Sequence, residues 1–251
     1  MESTPNPIDE IKSIFTSRTA KSNLPCGNDS PSGGGGSNST SIPQDPEKRY
    51  WYYLEHKNWN QALIQLESLS QGIYTEDDLF FKKIKLLTNL KKYRDASSLV
   101  MQRIKTKTPN SKYFFVLSRI LYEEGDFHRA LDYIQKAVNM ESGKVIYLYW
   151  LGIVEKKHGL LEQARQSFSR ALQYEKDSVK IQYQLATVLF ELHDYSRAIP
   201  IFEGLQSNSQ LKSSVIWYLA HSYQQIRDDQ KANHYFQLFK ELHHNQTDSQ
   251  L

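Results

Sequence analysis

The chain is 251 residues long, 39% apolar and 24% charged, with a formal net charge of +3. That is apolar enough to fold, but too near neutrality for the whole-molecule field that favours nucleic-acid binding. The single cysteine, Cys26, excludes an internal disulfide and fits a reducing compartment. No apolar run approaches the roughly 18 residues that a bilayer-spanning helix needs.

Ser, Thr, Asn, Pro and Gly dominate residues 1–42, which include the four glycines Gly33 to Gly36. Such a stretch cannot bury enough apolar surface to offset its ordering entropy, so a disordered tail is expected there. One apolar island interrupts it. Ile8, Ile11, Ile14 and Phe15 are spaced by three and four and fall on one face of a short amphipathic helix. A helix of that length does not stand alone. It would fold into a partner's groove or against this chain, unless it is a chance apolar cluster. The N-terminus lacks the basic-then-apolar plan of a secretory signal and is too acidic for a transit peptide. The expected location is the cytoplasm or nucleus.

From Pro46 onward the pattern is helical. The opening helix, over 48–57, carries Tyr50, Trp51, Tyr52, Tyr53 and Leu54 almost without a break. Helix pairs are predicted at 79–91 and 94–106, 113–124 and 128–140, 147–158 and 162–174, 181–192 and 196–206, and 215–226 and 230–243. Gly125 and Gly159 suit the left-handed residue that ends a helix, and Asp126 or Asp194 can cap the next one. The last helix still shows Tyr235, Phe236, Leu238, Phe239 and Leu242, and residues 247–251 read as a disordered end. Apolar residues left open at either end of the array would mark contact surfaces for a second copy or a larger subunit.

A period underlies these pairs. Ala62, Ala96, Ala130, Ala164, Ala198 and Ala232 follow one another at 34-residue steps, and four residues after each stand Leu66, Val100, Ile134, Phe168, Phe202 and Phe236. A fixed period of this size means stacked units, each too small to bury its own apolar face. An alanine where two helices cross lets their backbones approach closely. With Leu151-Gly152, Gly159, Ala164, Phe168 and Ala171 in the best-matching unit, the sequence resembles the tetratricopeptide repeat family, whose 34-residue unit is a helix–turn–helix. Six units lie at 43–76, 77–110, 111–144, 145–178, 179–212 and 213–246. The first two are the most worn, with Lys57 and Lys91 at the turn glycine. The resemblance implies an all-α right-handed superhelical solenoid and a non-catalytic scaffold or adaptor that binds proteins, with no cofactor or metal.

Chemistry finds little support in the residues themselves. The eight histidines have no zinc-site spacing, and Gly33 to Gly36 lack the lysine of a phosphate-binding loop. The first helix of each unit is more informative. Its positions 4, 7, 8 and 11 pack into the stack, so positions 2, 5, 9 and 12 form the neighbouring stripe. In the family this stripe faces the concave side. Position 5 reads Phe81, Phe115, Tyr149, Tyr183 and Trp217, flanked by Lys85, Lys112, Arg119, Tyr122, Lys156, Lys180 and Phe190. Aromatic and cationic side chains along one surface suit a partner's extended or helical peptide with acidic and apolar residues. Idealised repeats of the family also favour an aromatic at position 5, so the ladder is scaffold, ligand groove or both.

Two other functions stand beside this one. A co-chaperone adaptor that grips chaperone C-terminal tails needs a lysine and an asparagine on its first unit, where Glu47 and Trp51 stand, and a further asparagine where Lys82 stands. Nucleic-acid binding would use the basic second unit, with Lys82, Lys83, Lys85, Lys91, Lys92, Arg94, Arg103, Lys105 and Lys107, but these residues are spread around two helices.

Overall fold

A computed structural model describes residues 42–69, 74–108 and 110–248, with side chains described as far as Leu242. The proposed tail helix at Ile8, Ile11, Ile14 and Phe15 lies outside the described residues. The described residues form twelve α-helices in six consecutive pairs. These are α1 (Pro46–Glu55) with α2 (Trp59–Ser68), α3 (Glu76–Asn89) with α4 (Tyr93–Thr106), and α5 (Ser111–Glu124) with α6 (Phe127–Met140). They continue as α7 (Val145–Lys157) with α8 (Leu161–Tyr174), α9 (Val179–Glu191) with α10 (Tyr195–Leu205), and α11 (Lys212–Gln225) with α12 (Asp229–Asp248). Each helix packs on the next, and α9 also touches α7 and α11, the first helices of the neighbouring pairs. The described residues therefore form an all-α repeat solenoid.

The turn inside every pair is built alike. One or two residues after the first helix the chain takes a left-handed backbone at Lys57, Lys91, Gly125, Gly159, His193 and Arg227, with φ between 54° and 93°. These positions are again 34 apart. The amide after each donates five residues back, as in Asp126 N to Leu121 O at 2.8 Å and Lys92 N to Leu87 O at 2.9 Å. These bonds satisfy carbonyls that a helix end leaves open. The next helix then starts on a cap. Asn58, Asp126, Asp194 and Asp228 accept the amides of Gln61, Arg129, Arg197 and Lys231. Lys92 and Leu160 occupy the same place without a side-chain cap bond.

The first helices begin two to three residues earlier than apolar spacing predicts. At α3 the cause is a capping box, in which Thr75 accepts from Asp78 N and the Asp78 carboxylate accepts from Thr75 N. The polar first turn of Glu76, Asp77 and Asp78 carries no apolar signal, yet it suits a helix N-terminus.

The six alanines lie where each pair crosses, five of them with no exposed surface and Ala232 at 3%. Around them close Leu66, Val100, Ile134, Phe168 and Phe202, all buried. Gly152 serves the same close approach on α7, since a Cβ there would stand 2.8 Å from the Phe168 ring. At the far end the apolar face of α12 turns back onto the stack. Tyr235 stacks on Tyr223 at 5.6 Å, Tyr235 and Phe236 both pack against the core, and none of the α12 apolar residues is fully exposed. At the near end Trp51 of α1 is 42% exposed.

Candidate functional site

The stripe predicted to be a groove comes from α3, α5, α7, α9 and α11, and packing treats its members differently. Phe115, Tyr149 and Tyr183 are buried. Phe115 lies 5.0 Å from the Tyr147 ring, Tyr149 lies 5.8 Å from Phe168, and Tyr183 lies 6.2 Å from Tyr218. Tyr122 is buried too, edge-on to Trp150 and Phe127 at 5.1 and 5.2 Å. Burial, and behind it the Glu123 charge, pushes its hydroxyl up to about 12. These middle rungs are packed within and between repeats.

The outer rungs stay half-open. Phe81 stacks on Tyr113 at 5.7 Å, and the exposed Lys112 places its ammonium 3.9 Å from the Phe81 ring. Lys85 is also exposed on the same stripe. At the other end Phe190 and Trp217 are half-buried with their rings 6.1 Å apart. His221 lies 4.0 Å from the Trp217 ring and donates through Nδ1 to the Trp217 carbonyl at 2.8 Å.

The cations divide in the same way. Lys156 is engaged within the chain, donating to Thr187 Oγ1 at 2.8 Å and pairing with Glu191 at 3.0 Å. The Arg119 guanidinium lies near both the Phe115 and Trp150 rings, 5.8 and 5.9 Å from their centroids. Burial lowers its pKa, with Glu123 opposing. Lys85 and Lys112 stay exposed, as does Lys180 at position 2 of the fifth unit.

The basic second repeat does not gather on one face either. Arg103 of α4 reaches Glu76 and Asp77, with Asp77 at 2.7 Å, and Lys107 reaches Glu76 at 2.9 Å. Hydrogen bonds from Lys107 and then Arg103 hold the Glu76 carboxyl below its usual range. Lys83 pairs with Glu67 at 3.2 Å, and Lys91, Lys92 and Arg94 line the α3–α4 turn. Among the described residues no cluster of three or more His, Cys, Asp or Glu is placed to hold a metal, and no helix is long and apolar enough to cross a membrane.

Two polar features escaped the pattern reading. Glu155 of α7 is buried at a core position and accepts from Ser167 of α8 at 2.6 Å. The signal was available, since 155 is position 11 of its unit. The other is Lys82, whose ammonium faces three aromatic rings of the first repeat.

The sequence profile described as tetratricopeptide repeat matches residues 111–143, the third unit. The third unit is thus a tetratricopeptide repeat by its sequence. Solved structures agree on the fold. The C-terminal part of a TPR repeat-containing protein from Cytophaga hutchinsonii is 18% identical, with a TM-score of 0.60 over 77% of this chain and 81% of that one. Pseudomonas aeruginosa pilF is 15% identical, with a TM-score of 0.63 over 78% and 90%. YrrB, described as a TPR protein with an unusual peptide-binding site, is 13% identical, with a TM-score of 0.50 over 70% and 91%. No curated protein matches the chain. Repeat arrays of this fold generally mediate protein–protein interactions.

Proposed function

We propose that this chain is a non-catalytic interaction scaffold or adaptor in the cytoplasm or nucleus. In this reading it is a subunit of a multiprotein assembly and holds a partner's peptide or helix along the stripe of its first helices. The observation that carries the reading is the partition of that stripe. Lys85 and Lys112, beside Phe81, present two exposed ammonium groups and an aromatic face at the second and third repeats. Phe190 and Trp217 present a half-open aromatic pair at the fifth and sixth. A segment acidic at one end and apolar at the other matches both, because charge gives register and encounter rate while buried aromatics give affinity. The peptide-binding site described for YrrB is in keeping with this use of the fold. The exposed Trp51 adds a second surface, at the near end, for a larger subunit or a second copy.

Photo-crosslinking residues placed at 85 and 217 test the reading, with exposed position 135 on α6 as the control. The expected outcome is one shared adduct from 85 and 217 in native extract and none from 135. Lys85→Glu combined with Lys112→Glu should abolish the adduct at unchanged helical content. Adducts from 135 alone, or adducts that survive the double charge reversal, would remove the groove.

A further inference from the structure

Where the first repeat meets the second, three aromatic rings converge on one ammonium. Tyr50 and Trp51 come from α1, Tyr74 comes from the residues just ahead of α3, and the cation is Lys82 of α3. Its Nζ lies 5.3, 5.0 and 4.6 Å from the three ring centroids. Each distance is inside the roughly 6 Å over which a ring's negative face attracts a cation. The rings are held in place. Tyr50 is buried and edge-on to Trp51 at 5.5 Å, and the Tyr74 hydroxyl donates to Glu47 Oε1 at 2.6 Å. Burial lowers the Lys82 pKa and Lys85 adds to that, while Asp78 and Glu47 work in the opposite direction. Rings and carboxylates together replace part of the water that the ammonium gives up.

The same place in the fourth repeat shows what this position does. Trp150 stands one repeat-step pair after Lys82, and it packs back on Phe115 and Tyr122 of the preceding repeat at 6.4 and 5.1 Å. There the junction is closed by apolar rings on both sides. At the first junction the rings belong to one side only, and a cation meets them. Leu79 and Leu86 of α3 also pack into the apolar core of the first repeat, and the Lys83–Glu67 pair crosses the junction with side chains 40% and 62% exposed, where an ion pair contributes little.

We propose that Tyr50, Trp51 and Tyr74 form a cation-binding cage for alkylammonium groups, that Lys82 is its resident ligand, and that the filled cage clasps the first repeat to the second. The clasp depends on charge as well as on bulk, so a neutral side chain of equal length does not replace it. An alkylammonium supplied from outside does.

Proton NMR of the wild-type protein reads occupancy directly. The Lys82 ε-methylene protons are expected well upfield of those of the other lysines, because they lie over ring faces. Ordinary shifts there would overturn the cage. Amide exchange then tests the clasp. Lys82→Met should speed exchange across α1 and α2 by about tenfold and leave α7 to α12 unchanged, whereas Lys82→Arg should stay within about threefold of wild type. In Lys82→Ala, tetramethylammonium chloride should restore protection of α1 where potassium chloride at equal ionic strength does not. Wild-type protection in Lys82→Met would show that packing alone holds the junction. Equal effects of the two salts would show that the rings do not select a cation.

Discussion

In the fourth repeat every residue from Tyr147 to Glu155 is buried, whereas α1 of the first repeat buries Tyr50 alone. Both repeats have the same 34-residue length, the same alanine crossing and the same left-handed turn. The difference lies in their neighbours. In a solenoid each unit is stabilised by its own pair and by the units on either side. The fourth has α5 and α6 before it and α9 after it, while α1 meets a repeat on one side among the described residues. A central first helix can therefore be apolar all round, and even enclose a carboxylate, while an end helix keeps Trp51 in solvent and meets a lysine.

The largest effect should come from the core of the two regions. Phe168 has no exposed surface, and Phe168→Ala should cost about 3–5 kcal/mol and lower the denaturant midpoint of the whole array. Leu66, at the same repeat position in the first unit, is 5% exposed. Leu66→Ala should cost about 2 kcal/mol, with faster amide exchange confined to α1 and α2. Equal global losses in both variants would mean that the array unfolds as one unit and that end and centre do not differ.

Next comes the buried carboxylate. Burial raises the Glu155 carboxyl from its ordinary 4.5 to about 7, against a hydrogen bond from Ser167 and the charge of Arg170. The folded state thus favours the neutral acid. Its contribution is complete below pH 4.5 and is lost as pH rises through about 7, a swing of roughly 3 kcal/mol. Denaturant midpoints at pH 5 and pH 7.5 should show wild type falling across this window. Glu155→Gln should be flatter and more stable at pH 7.5. A wild-type protein whose stability rose over the same window would place the charged form in the core.

The smallest effects concern the turn that the two regions share. Gly125 has open space where a Cβ would go, so Gly125→Ala tests the backbone alone and should destabilise by about 1–2 kcal/mol. Lys91 holds the equivalent left-handed place at φ 59°, and Lys91→Gly should stabilise by roughly 0.5–1 kcal/mol in thermal unfolding. A neutral result at both sites would show that the turn is set by its hydrogen bonds rather than by residue type.

Much of this architecture is legible in the chain. Ala62 to Ala232 mark the crossings because only a small side chain fits where two helices meet, and Gly125 and Gly159 mark the turns. Lys57, Lys91, His193 and Arg227 conceal the same turn, because the surrounding hydrogen bonds impose a backbone that their residue types do not advertise. The aromatic ladder is legible as a ladder. Its division into buried and half-open rungs is not, since Phe115 and Phe81 occupy one repeat position and differ through the rings around them: Tyr147 and Trp150 close over the first, while Phe80 and Tyr113 leave the second half-buried.

By itself the sequence determined the period, the helix pairs and the small residues at their crossings, because these follow from local spacing and the size of single side chains. The tertiary structure decided which cations stay in solvent, which aromatics are buried, and that Lys82 meets three aromatic rings. Those outcomes depend on side chains from elements tens of residues apart meeting at one place, and no local spacing encodes that meeting.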